Sequence, residues 1–109
     1  MTEIQTITKA LLEFRNDRDW EQFHNPKDLA VAIGVESGEL LEQFLWKGFE
    51  EVSREKIKEE LADVFAYAFL LAEKFNFDVT EIVLEKIKKN GEKYPVEKAK
   101  GTAKKYTEL

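Results

Sequence analysis

Between Leu61 and Ala72 the chain reads LADVFAYAFLLA, eleven apolar or aromatic residues in twelve, with Asp63 the only charge. A run this apolar, yet short of the roughly 20 residues that span a bilayer, predicts a helix enclosed by other helices on nearly all sides. An ionised carboxylate isolated in such a helix is costly, so Asp63 needs a partner or a shifted pKa.

The remaining sequence supplies helices to surround it. Glu3 to about Asn16 carries Ile4, Ile7, Leu11 and Phe14 at helical spacing, with Thr2 and Gln5 placed as a capping box. DRDWEQFHNP has no helical period and reads as a loop. Asn25, Pro26 and Asp28 then form a helix start, and the apolar pattern predicts continuation to about Trp46, with a stop near Gly48. A third helix is expected after Ser53, running to about Phe75. A fourth runs from the Asp78 and Glu81 cap to about Asn90, with Gly91 as its stop. The last segment, EKYPVEKAKGTAKKYTEL, reads as extended or partly ordered. No segment alternates as a strand does, so the expected class is all-α, and 109 residues suit one domain, 1–109.

The second helix repeats the anomaly of Asp63. Leu29, Ile33, Leu40 and Phe44 form its core stripe, and Glu36 falls inside that stripe with Glu39 one turn on. Glu42 lies further round, toward water or a neighbouring subunit. In the third helix Glu60 precedes Asp63 by three residues, and Tyr67 is nearly in line with Glu60. Two E-x-x-(E/D) pairs on adjacent helices set four carboxylates against each other, an arrangement that cations resolve. Oxygen-only ligands select hard ions, Mg²⁺ or Mn²⁺. Gly34 and Gly38 leave space beside them.

Composition removes other chemistries. With no cysteine there is no disulfide, zinc finger or thiol nucleophile, and the single His24 excludes any site built on two imidazoles, including a di-iron centre with two Glu-x-x-His pairs. His24 itself reads as structural or peripheral. Net charge is −5, which disfavours long nucleic acids but allows a phosphorylated small molecule held through a metal. The N-terminus lacks the pattern of a secretory signal, and no run is long enough for a membrane span, so a cytoplasmic location is expected.

RDWEQFH, ESGELLEQFLWKG, EELADVFAY, KNGEKYP and KYTEL, in that order from about Leu12 to Leu109, resemble segments of the MazG-like all-α nucleoside triphosphate pyrophosphohydrolases, in particular the dCTP pyrophosphatase branch. The resemblance implies a four-helix fold assembled as a homodimer or homotetramer, with active sites drawing on more than one subunit. It implies Mg²⁺, replaceable by Mn²⁺, on Glu36, Glu39, Glu60 and Asp63, and hydrolysis of a nucleoside triphosphate to the monophosphate and pyrophosphate. Trp20 and Trp46 match the aromatics around the base, and Tyr67, Lys86 and Asn90 match residues lining the nucleotide. Lys86 and Lys47 are candidates for further positive charge at the phosphates. Glu36 and Glu39 are the candidates for orienting the attacking water. Leu11 stands where the animal enzymes of that branch carry a histidine, so looser selectivity than theirs is expected. dCTP or a modified dCTP is the expected substrate. The rivals are the same chemistry with another base preference and a non-enzymatic helical interaction module, which predicts no metal dependence.

Overall fold

Each long helix begins where the sequence places a capping side chain. Thr2 Oγ1 accepts from the Gln5 N–H at 3.1 Å while the Thr2 N–H donates to Gln5 Oε1 at 2.9 Å, and α1 runs Glu3–Asp17. Asn25 accepts from the Asp28 N–H at the head of α2, Pro26–Glu42. Ser53 does the same for α3, Arg54–Lys74, and Asp78 for α4, Val79–Lys93. A short α5, Val96–Ala99, and three 3₁₀ turns complete a chain without strands. The computed structural model describes residues 1–109.

Two boundaries differ from the sequence pattern. α2 stops at Glu42 rather than near Trp46. From Gln43 the backbone tightens into i→i−3 bonds (Gln43 to Leu40, Phe44 to Leu41, Leu45 to Glu42), and Trp46 then turns left-handed at φ 60°. Nothing in QFLW is a helix breaker, so the apolar period alone gave no sign of this stop. α4 runs through Gly91 to Lys93, because Gly91 keeps a helical backbone; Pro95, which disfavours a helical Tyr94, supplies the stop. The expected loop after α1 contains a 3₁₀ turn, Glu21–Phe23.

The chain forms two compact units, Met1–Asn76 and Phe77–Leu109. In the first, α3 packs along α2 and also against α1. Leu29, Leu70 and Ala72 are its buried apolar residues, while Ile33, Glu36 and Leu40 are half-buried along one stripe of α2 and Phe44 is half-buried in the turn that follows it. α3 is less enclosed than its composition predicts. Leu61, Asp63 and Phe65 remain exposed, because two neighbours cover only part of a helix circumference, so Asp63 is not the enclosed carboxylate that its apolar run predicts. In the second unit the C-terminal segment is ordered. Tyr94 and Tyr106 meet edge to face at 6.0 Å, and Lys93 Nζ lies 5.0 Å from the Tyr106 ring.

Candidate metal centre and the cavity beside it

Glu36 lies six residues before the end of α2, and Glu60 six residues after the start of α3. In a helical hairpin, equal distances from the turn bring residues to the same level. Carboxylate oxygens of Glu36, Glu60 and Asp63 accordingly lie within 4.8 Å of one another. Glu39 neighbours the same group closely enough for its charge to act on both Glu36 and Glu60. The ion pairs of the chain, Lys9–Glu13, Arg15–Glu21 and Lys74–Glu21, involve none of these four carboxylates.

The electrostatic consequence is large. Burial first, then the neighbouring Glu39, Asp63 and Glu60, pushes the Glu36 carboxyl up to about 7 from an ordinary 4.5. Glu60 is raised by burial and then by Glu39, Asp63 and Glu59. The Tyr67 hydroxyl is raised by burial and by the charges of Glu36, Asp63 and Glu39, which places its ring beside the cluster.

These residues fit a hard divalent cation. Glu36 Oε2 and Glu60 Oε2 are buried with no hydrogen-bond partner, so each has a lone pair that nothing in the chain satisfies. Neighbouring oxygens on one octahedral Mg²⁺ are about 2.9 Å apart and opposite ones about 4.2 Å, so binding would draw the three carboxylates somewhat closer together. Gly34 and Gly38 play no visible part, since a Cβ at either would meet nothing within 4 Å.

A cavity of about 250 Å³ opens beside the cluster. Asp63, Ala66, Tyr67 and Leu70 form its α3 wall, Leu11, Phe14 and Arg15 its α1 wall, and Trp20 and His24 come from the intervening turn. That turn is held by Arg15, whose backbone oxygen accepts from the Trp20 N–H at 3.0 Å, and by a left-handed Asp19 at φ 56°. Trp20 packs edge to face on Phe14 at 5.8 Å, and Arg18 covers the Phe14 ring at 3.6 Å. His24 meets the Tyr67 ring edge-on at 6.2 Å. Burial and the nearby Arg15 and Lys74 charges lower its pKa, keeping it neutral near pH 7.

The expected site residues thus divide. Glu36, Glu39, Glu60, Asp63 and Tyr67 converge, and Trp20 lines the adjoining cavity. Trp46 and Lys47 lie in the exposed turn after α2, outside that cavity; Trp46 is 94% exposed. Lys86 and Asn90 are exposed on α4, in the second unit. Two cavity residues escaped sequence reading. The sequence pattern gives His24 only a structural or peripheral role and does not single out Arg15. Arg15 sits four residues after Leu11, on the apolar stripe, and that was the available signal.

A hairpin carrying a carboxylate cluster beside an aromatic cavity offers oxygen donors suited to a hard cation and flat surfaces suited to a ring. Similarity to known proteins gives the class of the chain. Residues 31–109 match the MazG-like family. The chain is 39% identical to dCTP pyrophosphatase 1 of Mus musculus over 97% of its own length and 67% of that protein, and 40% identical to the Bos taurus protein over 97% and 68%. It is also similar to the crystal structure of a pyrophosphatase from Archaeoglobus fulgidus, with a TM-score of 0.82 and 37% identity over 87% of this chain and 94% of that one. The chain belongs to the MazG-like family.

Proposed function

We propose that this protein is a Mg²⁺-dependent nucleotide pyrophosphohydrolase that cleaves dCTP, or a 5-substituted dCTP, between its α- and β-phosphates to give the monophosphate and pyrophosphate. Clearing such nucleotides from the precursor pool is the role this activity suits. The observation that carries the reading is the unpaired carboxylate cluster, with two orphaned buried oxygens, opening onto an aromatic cavity in a relative of dCTP pyrophosphatases.

Glu36, Glu39, Glu60 and Asp63 are the residues that would hold the metal. When bound, it neutralises phosphate charge and lowers the pKa of a coordinated water. The chain's own contribution is positional. Trp20 offers a face for the base, Tyr67 lies between the cluster and His24, and the apolar walls from Leu11, Phe14 and Leu70 exclude water. Glu36 or Glu39 takes the proton of the attacking water. The family resemblance assigns Lys86 and Asn90 to the nucleotide, Lys47 adds positive charge for the phosphates, and Trp46 reaches the base from a second copy in a homodimer or homotetramer. Its exposure supports that assignment, as does its left-handed backbone, an uncommon and costly state for a bulky residue.

A screen of common and 5-substituted deoxynucleoside and ribonucleoside triphosphates, read by pyrophosphate release with Mg²⁺, tests the reading. dCTP-type substrates should be cleaved best. Preferential cleavage of purine triphosphates would retain the chemistry and change the substrate. No cleavage of any triphosphate would leave a helical interaction module.

A further inference from the structure

Arg15 is the most buried polar residue of the chain, at 5% exposure, and its guanidinium is poorly satisfied. Nε donates to Asn16 Oδ1 at 3.1 Å. Nη2 lies 3.8 Å from Glu21 Oε2, and that carboxylate is largely solvated and shared with Lys74 Nζ at 3.6 Å. Nη1 is buried with no partner at all. Burying a guanidinium costs several kcal/mol unless its donors are met. A cation serving only the fold would be closely paired. This one instead lines the cavity, with a free donor.

Position decides what that donor meets. Asp63, Ala66, Tyr67 and Leu70 mark one face of α3, and at 1.5 Å per residue Asp63 to Leu70 spans about 10 Å. Arg15 is tied through Glu21 to Lys74, one turn beyond Leu70, so it stands at the end of the cavity away from the carboxylates. The phosphates belong at the carboxylate end. What reaches the far end, past Trp20 and Tyr67, is the base. Arg15 has donors and no acceptor. A pyrimidine offers a carbonyl oxygen at C2, whereas adenine has no carbonyl.

We propose that Arg15 is a specificity-determining residue whose Nη1–H donates to the 2-carbonyl oxygen of a pyrimidine base bound between Trp20 and Tyr67, favouring pyrimidine over adenine nucleotides. This rests on the pyrophosphohydrolase reading, and its test is separable from it. In wild-type protein, kcat/KM for a dCTP analogue lacking the 2-oxygen falls about 10- to 100-fold below that for dCTP, the worth of a hydrogen bond to a charged donor. Arg15→Met removes that gap, lowering kcat/KM for dCTP by a similar factor while dATP changes by less than about threefold. Quenching of tryptophan fluorescence by dCMP and dAMP in EDTA reads the same preference without turnover. An equal fall for dCTP and dATP in Arg15→Met assigns the guanidinium to phosphate or to folding and overturns the proposal. If Arg15→Met does not fold, the wild-type comparison decides alone, and equal rates for dCTP and the analogue overturn it. If wild type cleaves no triphosphate, the enzymatic reading fails, and dCMP binding no tighter than dAMP then overturns the assignment of Arg15 as well.

Discussion

Glu36 on α2 and Asp63 on α3 bring carboxylate oxygens within 4.8 Å of each other across the helix pair, and neither forms an ion pair. Like charges this close repel unless a cation or a proton lies between them. Chelation should therefore abolish activity, and Mg²⁺ or Mn²⁺ should restore it. Asp63→Asn should lower kcat/KM for dCTP at least about 100-fold, given that a catalytic metal supplies several kcal/mol and ~1.4 kcal/mol is tenfold. In metal-free protein the same substitution should hold or raise the melting temperature, since it removes repulsion. Activity undiminished in EDTA would remove the metal centre.

The pH dependence follows from Glu36, whose pKa rises from 4.5 to about 7 on folding. Between those values the folded state holds a proton that the unfolded state has released. Metal-free stability should thus be highest below about pH 4.5, as far as this group is concerned, and should decline as pH rises through about 7. Mg²⁺ replaces the proton, so saturating Mg²⁺ should flatten the decline. Thermal melts from pH 5 to 8, with EDTA and with Mg²⁺, read both slopes, and Glu36→Gln should lose most of the metal-free one. Parallel slopes in the two conditions would contradict the coupling.

Much of this site was legible in the sequence because it violates binary patterning. Glu36 sits in an apolar stripe and Asp63 in an apolar run, so each announces an unusual requirement, and helix starts are written in local caps such as Thr2, Asn25, Ser53 and Asp78. What could not be read depends on tertiary context. The end of α2 is set by i→i−3 bonds that QFLW does not advertise, and Gly91 stays helical because the stop comes from Pro95. Arg15 was missed because arginine near a helix C-terminus is ordinary there. Only packing against α3 and the Trp20 turn shows that its guanidinium is enclosed.

Assembly is the next expectation. In the turn after α2, Trp46 and Phe49 are 94% and 78% exposed, with Leu41 and Leu45 beside them in sequence and also exposed. Large apolar side chains this exposed within one short segment are expected to meet a partner. Light scattering at micromolar concentration should show a dimer or tetramer. Leu41→Asp combined with Phe49→Ser should shift it toward monomer and lower activity together with assembly. A wild-type monomer with full activity would exclude a site shared between copies.

Binding and chemistry should separate when Trp20 is compared with Asp63. Trp20 lines the cavity, braced on Phe14, and touches none of the carboxylates by hydrogen bond. Stacking on an indole is indifferent to base identity and contributes about 1–3 kcal/mol per base. Trp20→Ala should therefore raise KM about 5- to 100-fold for dCTP, dTTP and dATP alike, with kcat falling much less. Trp20→Phe, which keeps a ring, should recover most of the loss. Asp63→Asn should instead act mainly on kcat, because its partner is needed where charge develops in the transition state. Steady-state kinetics on the three substrates, with circular dichroism to establish that each variant is folded, makes the comparison. A Trp20→Ala protein with unchanged KM would place the base outside this cavity. A loss confined to one base would mean that Trp20 takes part in reading the base edge.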